Sequence, residues 1–124
     1  MGYRSDVCVG MTDEATRLFQ TLLEHLPKDH EAVSLVKDAR TAHRSHPLGD
    51  EHKSPDANCD EKFFWEYVKW YDTYECVGFI ESFLTDCIPE EDYKFVRLGE
   101  ESDDVEERGE YWDAEIYIAR SISW

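Results

Sequence analysis

Positive charge is scarce in this sequence: 13 lysines and arginines stand against 29 aspartates and glutamates, for a formal net charge of −16 at pH 7. Such a field repels nucleic acid and anionic membrane and speeds encounter with cationic surfaces, so direct binding of DNA or RNA is the least favoured reading. Long apolar runs are missing too. No stretch approaches the roughly 18 consecutive apolar residues that span a bilayer, and the opening MGYRSDVCVGMTDE is too polar for a secretory leader, which points to a cytoplasmic protein. Cysteine is sparse: Cys8, Cys59, Cys76 and Cys87 form no close Cys-x2-Cys pair, and three of them fall in segments that read as regular structure. Free, mostly buried thiols are expected rather than two disulfides.

The usual catalytic and cofactor signatures are absent as well. Gly10, Gly49, Gly78, Gly99 and Gly109 stand singly, so there is no phosphate-binding glycine loop, dinucleotide fingerprint or nucleophile elbow. Zinc needs about four converging ligands, commonly supplied as close pairs. Among His25, His30, His43, His46, His52 and Cys59, only His43-x2-His46 approaches that spacing, and Pro47 follows at once. The EF-hand pattern for calcium is also missing. The expectation is therefore no enzyme, no cofactor and no metal, with structural or surface histidines.

What is present is enough to fold. Hydrophobic residues make up 41% of the 124 residues and aromatics 14%, too much for a disordered acidic tail and about right for one domain spanning residues 1–124. Tyr3 to Met11 alternates and predicts a first strand. Thr12 can cap a helix carrying Ala15, Leu18, Phe19, Leu22, Leu23 and Leu26. Asp29 can cap a second, with Ala32, Val33, Val36, Ala39 and His43 on one face. Residues 45–60 read as a long polar loop. Residues 61–72, EKFFWEYVKWYD, predict a second strand with Trp65, Tyr67, Lys69 and Tyr71 on one side and Phe64, Glu66, Val68 and Trp70 on the other. Both sides are aromatic, which suggests helices over one and a partner or second subunit over the other.

Thr73 then caps a third helix with Cys76, Val77, Ile80, Phe83, Leu84 and Cys87 inward. Tyr93 to Leu98 reads as a third strand and Tyr111 to Trp124 as a fourth. The order β-α-α-β-α-β-β predicts an α+β fold, an about four-stranded, mainly antiparallel sheet with three helices packed on one face.

The acids are unevenly placed. Residues 60–124 hold nineteen acids and six bases, and residues 1–59 ten acids and seven bases. The segment 99–110 reads as a solvated acidic turn whose Glu101, Asp103, Asp104, Glu106 and Glu107 could be reversed in charge without harm to the fold. DNA presents a negative charge about every 1.7 Å of its axis, and a stiff scaffold that displays carboxylates in rows can occupy a groove built for it. The candidate partner-binding set is Glu90, Glu91, Asp92, Glu100, Glu101, Asp103, Asp104, Glu106, Glu107, Glu110, Asp113 and Glu115, with Tyr111 and Tyr117, and also Tyr71 and Tyr93, as amphipathic anchors.

Three segments carry a resemblance: the opening MGYRSDV, the central VKWYD (Val68 to Asp72), and FVRLGEE followed by DDVEERG (Phe95 to Gly109). In these the chain resembles small acidic proteins encoded by tailed bacteriophages and prophages. The resemblance implies the cytoplasm of a bacterial host and a host-takeover or anti-defence role, since several such proteins imitate DNA to block host machinery. It thereby implies a DNA mimic that inhibits a bacterial DNA-binding protein, with gyrase first and a nuclease, CRISPR effector or RNA polymerase next. The alternatives are a structural or assembly protein that forms a homodimer through its aromatic strands, and a small metal-binding protein built on His43, His46, His52 and Cys59.

Overall fold

The computed structural model describes residues 2–43, 61–71, 73–101, 103–112, 116–118 and 122–123. In chain order the elements are β1 (Ser5–Met11), α1 (Asp13–Glu24), α2 (Glu31–Asp38), β2 (Arg40–His43), β3 (Glu61–Val68), α3 (Glu75–Ser82), β4 (Tyr93–Gly99), β5 (Val105–Arg108), β6 (Tyr117–Ile118) and β7 (Ile122–Ser123). A π turn over Phe83–Cys87 extends α3, and a 3-10 turn over Glu90–Asp92 leads into β4. The fold is α+β. Its antiparallel main sheet has the order β2-β3-β1-β4-β5, and β6 and β7 form a separate pair.

The alternation of β1 explains the core. Val7, Val9 and Met11 project to one face, where they meet Phe63 and Trp65 of β3 and Tyr93 and Phe95 of β4. The three helices close over that face. Phe19 of α1 sits at its centre, with ring centroids 5.8 Å from Phe63 and 5.0 Å from Phe83. Val77, Ile80 and Leu84 complete the layer, and α2 adds Leu35 and Val36 at its margin. Burying each such side chain contributes about 1.5–3 kcal/mol. Thr12 caps α1 as expected, its Oγ1 accepting the Ala15 N–H at 3.2 Å.

Four local expectations are corrected. His30, not Asp29, caps α2: its Nδ1 accepts the Ala32 N–H at 3.0 Å, which leaves Nε2–H to face Glu75 Oε1 at 2.7 Å. That helix stops at Asp38, and His43 belongs to β2, which pairs with β3 from Arg40↔Phe64 to His43↔Glu61. Tyr74 rather than Thr73 stands at the N-cap of α3, with no side-chain cap. Cys87 is exposed rather than inward, because the π turn adds residues to the last turn and rotates that position away from the core. Cys8 is buried, Cys76 half-buried, and Cys59 lies outside the described residues.

A bulge changes the reading of β3. Val7 pairs with Trp65 but Ser5 pairs with Val68, so β3 carries one extra residue there, and Tyr67 takes a left-handed φ of 57°. The bulge flips the alternation. Trp65, Val68 and Trp70 therefore all pack on the helix side, where strict period two had put Trp70 opposite Trp65. The other face of the sheet carries Cys8, Phe64 and Val96, and the chain's own C-terminal segment covers it through Ile116 and Ile122, with Leu98 and Tyr111 alongside. Of the last strand expected over 111–124, the described residues form the short β6–β7 pair. Among the described residues no helix is long and apolar enough to cross a membrane.

Candidate functional site

The β4–β5 hairpin assembles most of the candidate acids, and its geometry follows from one misplaced-looking cation. Arg97 lies on the same face of β4 as Tyr93 and Phe95, where an unpaired charge would be costly. Its partners come from the facing strand and the tip. Nη2 donates to Asp104 Oδ1 at 2.7 Å, Nη1 to Asp104 Oδ2 and to Ser5 Oγ at 3.1 Å each, and Nε to Glu106 Oε1 at 3.1 Å. The register Arg97↔Glu106 makes the last of these unavoidable.

The network continues in both directions. The Tyr3 hydroxyl donates to Asp104 Oδ2, and the Tyr3 N–H donates to the Tyr71 hydroxyl at 2.6 Å. Arg108, stacked 4.2 Å over the Phe95 ring, donates to Glu81, whose second oxygen accepts the Trp70 indole N–H at 3.1 Å. Arg108 Nε also lies 3.0 Å from Glu106 Oε2, close enough for attraction but not aligned as a hydrogen bond. Gly99 allows the assembly to close, since a Cβ there would collide with the Asp104 carboxylate and the Tyr3 hydroxyl.

These groups line a polar cleft of about 560 Å³ walled by Tyr3, Trp70, Tyr71, Thr73, Glu81, Arg97, Asp104 and Glu106. The ionisation states fit structural ion pairs. The Arg97 guanidinium, then the Tyr3 hydroxyl, hold the Asp104 carboxyl below the usual carboxylate range. Sharing its proton with Asp104 pushes the Tyr3 hydroxyl up. Arg97 is held above its ordinary value, chiefly by its hydrogen bond to Asp104.

The candidate acids thus divide. Asp104 and Glu106 are half-buried and committed to Arg97, which corrects the expectation that the whole segment is a solvated turn open to charge reversal. Glu107 points to the opposite face and pairs at 3.3 Å with Lys94, whose side chain is only 3% exposed and lies 4.0 Å over the Trp112 ring. Glu101 and Asp103 are exposed at the hairpin tip, as is Glu100, whose Oε2 accepts the Arg4 N–H at 2.6 Å. Glu90, Glu91 and Glu110 are exposed at the other end of the hairpin, where the Glu110 N–H bonds to the Glu90 carbonyl at 2.7 Å. Asp92 is half-buried there, and burial together with Glu14 and Glu91 raises its carboxyl pKa. The seven residues of β4 separate the two acidic ends by about 20 Å.

The aromatic anchors are placed differently from the expectation. Tyr93 is buried, Tyr71 is half-buried in the cleft wall, and Tyr111 packs against the second core. Trp112, 68% exposed, is the large aromatic that this edge presents. Tyr117 lies in β6, and Asp113 and Glu115 lie outside the described residues. Exposed acids also occur elsewhere, at Glu24, Asp29, Glu31, Asp38, Glu66, Glu75 and Asp86. No metal-ligating group of three or more side chains occurs among the described residues; His46, His52 and Cys59 lie outside them.

Sequence reasoning missed Tyr3, Trp70 and Arg97 as members of one site, and placed Glu81 in an open acidic row rather than in an ion pair with Arg108. A signal was there: an arginine on the inward parity of an apolar strand demands carboxylates at the facing positions. The three segments MGYRSDV, VKWYD and FVRLGEE–DDVEERG, distant in sequence, meet in this cleft. Comparison with protein-family models, with curated proteins and with solved structures finds no match to the chain.

Proposed function

We propose that this protein is a non-catalytic inhibitor that acts as a DNA mimic, presenting the carboxylates of its β4–β5 edge to the basic DNA-binding groove of a bacterial host protein. The observation that supports this most is the combination of sign and stiffness. Glu90, Glu91 and Glu110 at one end and Glu100, Glu101 and Asp103 at the other are exposed, while the strand between them is fixed by the Arg97 network. Clusters of negative charge held at a set spacing by a stiff strand can engage a groove built for a polyanion. The field of the whole chain, −16, adds long-range attraction to any cationic partner.

The test is affinity capture from bacterial lysate at low and high salt, with gyrase and defence nucleases assayed first. DNA-binding proteins should be retained and should elute as ionic strength rises, because charges exposed to solvent are screened beyond about 10 Å at 0.1 M salt. The charge reversal suited to this fold is Glu90→Lys, Glu91→Lys, Glu101→Lys and Asp103→Lys together, because those side chains hold no ion pair among the described residues. Capture that survives in this variant, or that retains only acidic and neutral proteins, rejects the proposal.

A further inference from the structure

The sheet ends at β5, and among the described residues no strand pairs with its outer side. The direction of its free hydrogen-bonding groups follows from the register. The Gly99 N–H bonds to the Asp104 carbonyl at 2.8 Å, and the pairing runs Arg97↔Glu106 and Phe95↔Arg108. In an antiparallel pair the residues alternate, so Glu106 and Arg108 turn their backbone groups toward β4 while Val105 and Glu107 turn theirs outward. The Val105 N–H is taken by the Asp103 carbonyl at 3.1 Å. Among the described residues, the Val105 carbonyl and both backbone groups of Glu107 face out with no strand against them.

An open edge is a template for another strand, and proteins commonly blunt it with charge. Here the blunting has one sign. Val105 is 42% exposed and the Glu107 side chain 50% exposed on the edge itself, with Glu101 and Asp103 beyond one end and Glu90 and Glu110 beyond the other. A second copy of this chain would bring a like field of −16 against the same edge, and is repelled. An extended segment rich in lysine or arginine is attracted at both ends.

We infer that β5 is a docking edge for an extended cationic segment of the partner protein, which adds to the sheet as a further antiparallel or parallel strand. The inference rests on the reading of the acidic edge as a binding surface, and it specifies the mode: backbone hydrogen bonds to Val105 and Glu107 fix the segment, and acids at the two ends hold its cations. About six extended residues cover the roughly 20 Å between those ends.

The discriminating pair of variants is Glu107→Pro and Glu107→Gln. Both remove the charge, and only proline removes the outward N–H; proline is tolerated on an edge strand where that N–H faces solvent. The probe is a synthetic eight-residue peptide of alternating lysine and threonine, its affinity measured by fluorescence anisotropy. Glu107→Pro should bind about five- to tenfold more weakly than Glu107→Gln, the effect of one lost hydrogen bond. In the wild-type protein, hydrogen exchange at the Glu107 amide should slow when the peptide is added. Equal binding by the two variants with salt-sensitive affinity, or no binding to the wild type, overturns strand addition; the acidic-surface reading stands or falls separately on the capture and charge-reversal test. If Glu107→Pro does not fold, the amide exchange decides alone: an unchanged rate at Glu107 in a peptide-saturated sample rejects the inference.

Discussion

Arg97→Ala should cost this protein roughly 2 kcal/mol of stability, a value set by how far the network lies from solvent. The Arg97 side chain is 19% exposed, and its partners Asp104 and Glu106 are 32% and 39% exposed. Breaking a fully buried pair costs about 3–5 kcal/mol, and an exposed pair contributes about 0–1 kcal/mol. A half-buried guanidinium with four polar contacts falls between them, and its loss leaves Asp104 and Glu106 without their shared cation. For a chain of this size about 2 kcal/mol corresponds to a fall in Tm of roughly 6–10 °C, read by circular dichroism at pH 7. The pH dependence supplies a second check. Asp104 has a depressed pKa in the fold, so its contribution is present above the unfolded value of about 3.9 and is lost as pH falls through the lower folded value. The gap between wild type and Arg97→Ala, followed by urea unfolding, should therefore narrow below about pH 4. A Tm within about 2 °C of wild type at neutral pH, or a gap undiminished at about pH 2.5, would refute the assignment of this network as the lock of the hairpin.

Other expectations follow from the same contacts. Gly99→Ala should lower Tm and reduce protection of the hairpin amides, since its methyl would displace Asp104 and Tyr3; unchanged exchange would contradict the packing described. Asp92→Asn should raise stability at pH 7. Its raised carboxyl pKa means the ionised form opposes folding, so the gain should vanish as pH falls through the carboxylate range; a lower Tm at pH 7 would disprove this. Iodoacetamide should modify Cys87 in the native protein and spare Cys8, whose thiol burial pushes up to about 12; mass spectrometry showing early labelling of Cys8 would place it wrongly in the core.

The fold class was legible because its signals are local and strong. The alternation of β1, the Thr12 cap and the apolar stripe of α1 each report one element's own chemistry. The errors cluster where one residue changes the phase. The extra residue at Tyr67 puts Trp70 on the helix side, and the π turn at Phe83–Cys87 expels Cys87; neither insertion leaves a mark in residue type. The candidate site was half legible. Acid content marked the right segment, but which acids face solvent depends on the pairing of β5 with β4, and that register gives Asp104 and Glu106 to Arg97. The face expected to await a partner is filled by Ile116 and Ile122, a long-range choice that alternation alone could not assign.

The most direct test of the central claim is displacement of DNA. A fluorescent duplex bound to the captured host protein is titrated with this protein at low and high salt, beside the Glu90→Lys, Glu91→Lys, Glu101→Lys, Asp103→Lys variant. The wild type should release the duplex in a saturable manner that weakens at high salt, and the variant, folded by circular dichroism, should not. A duplex that stays bound at saturating wild-type protein, or one released equally by the variant, would contradict the account.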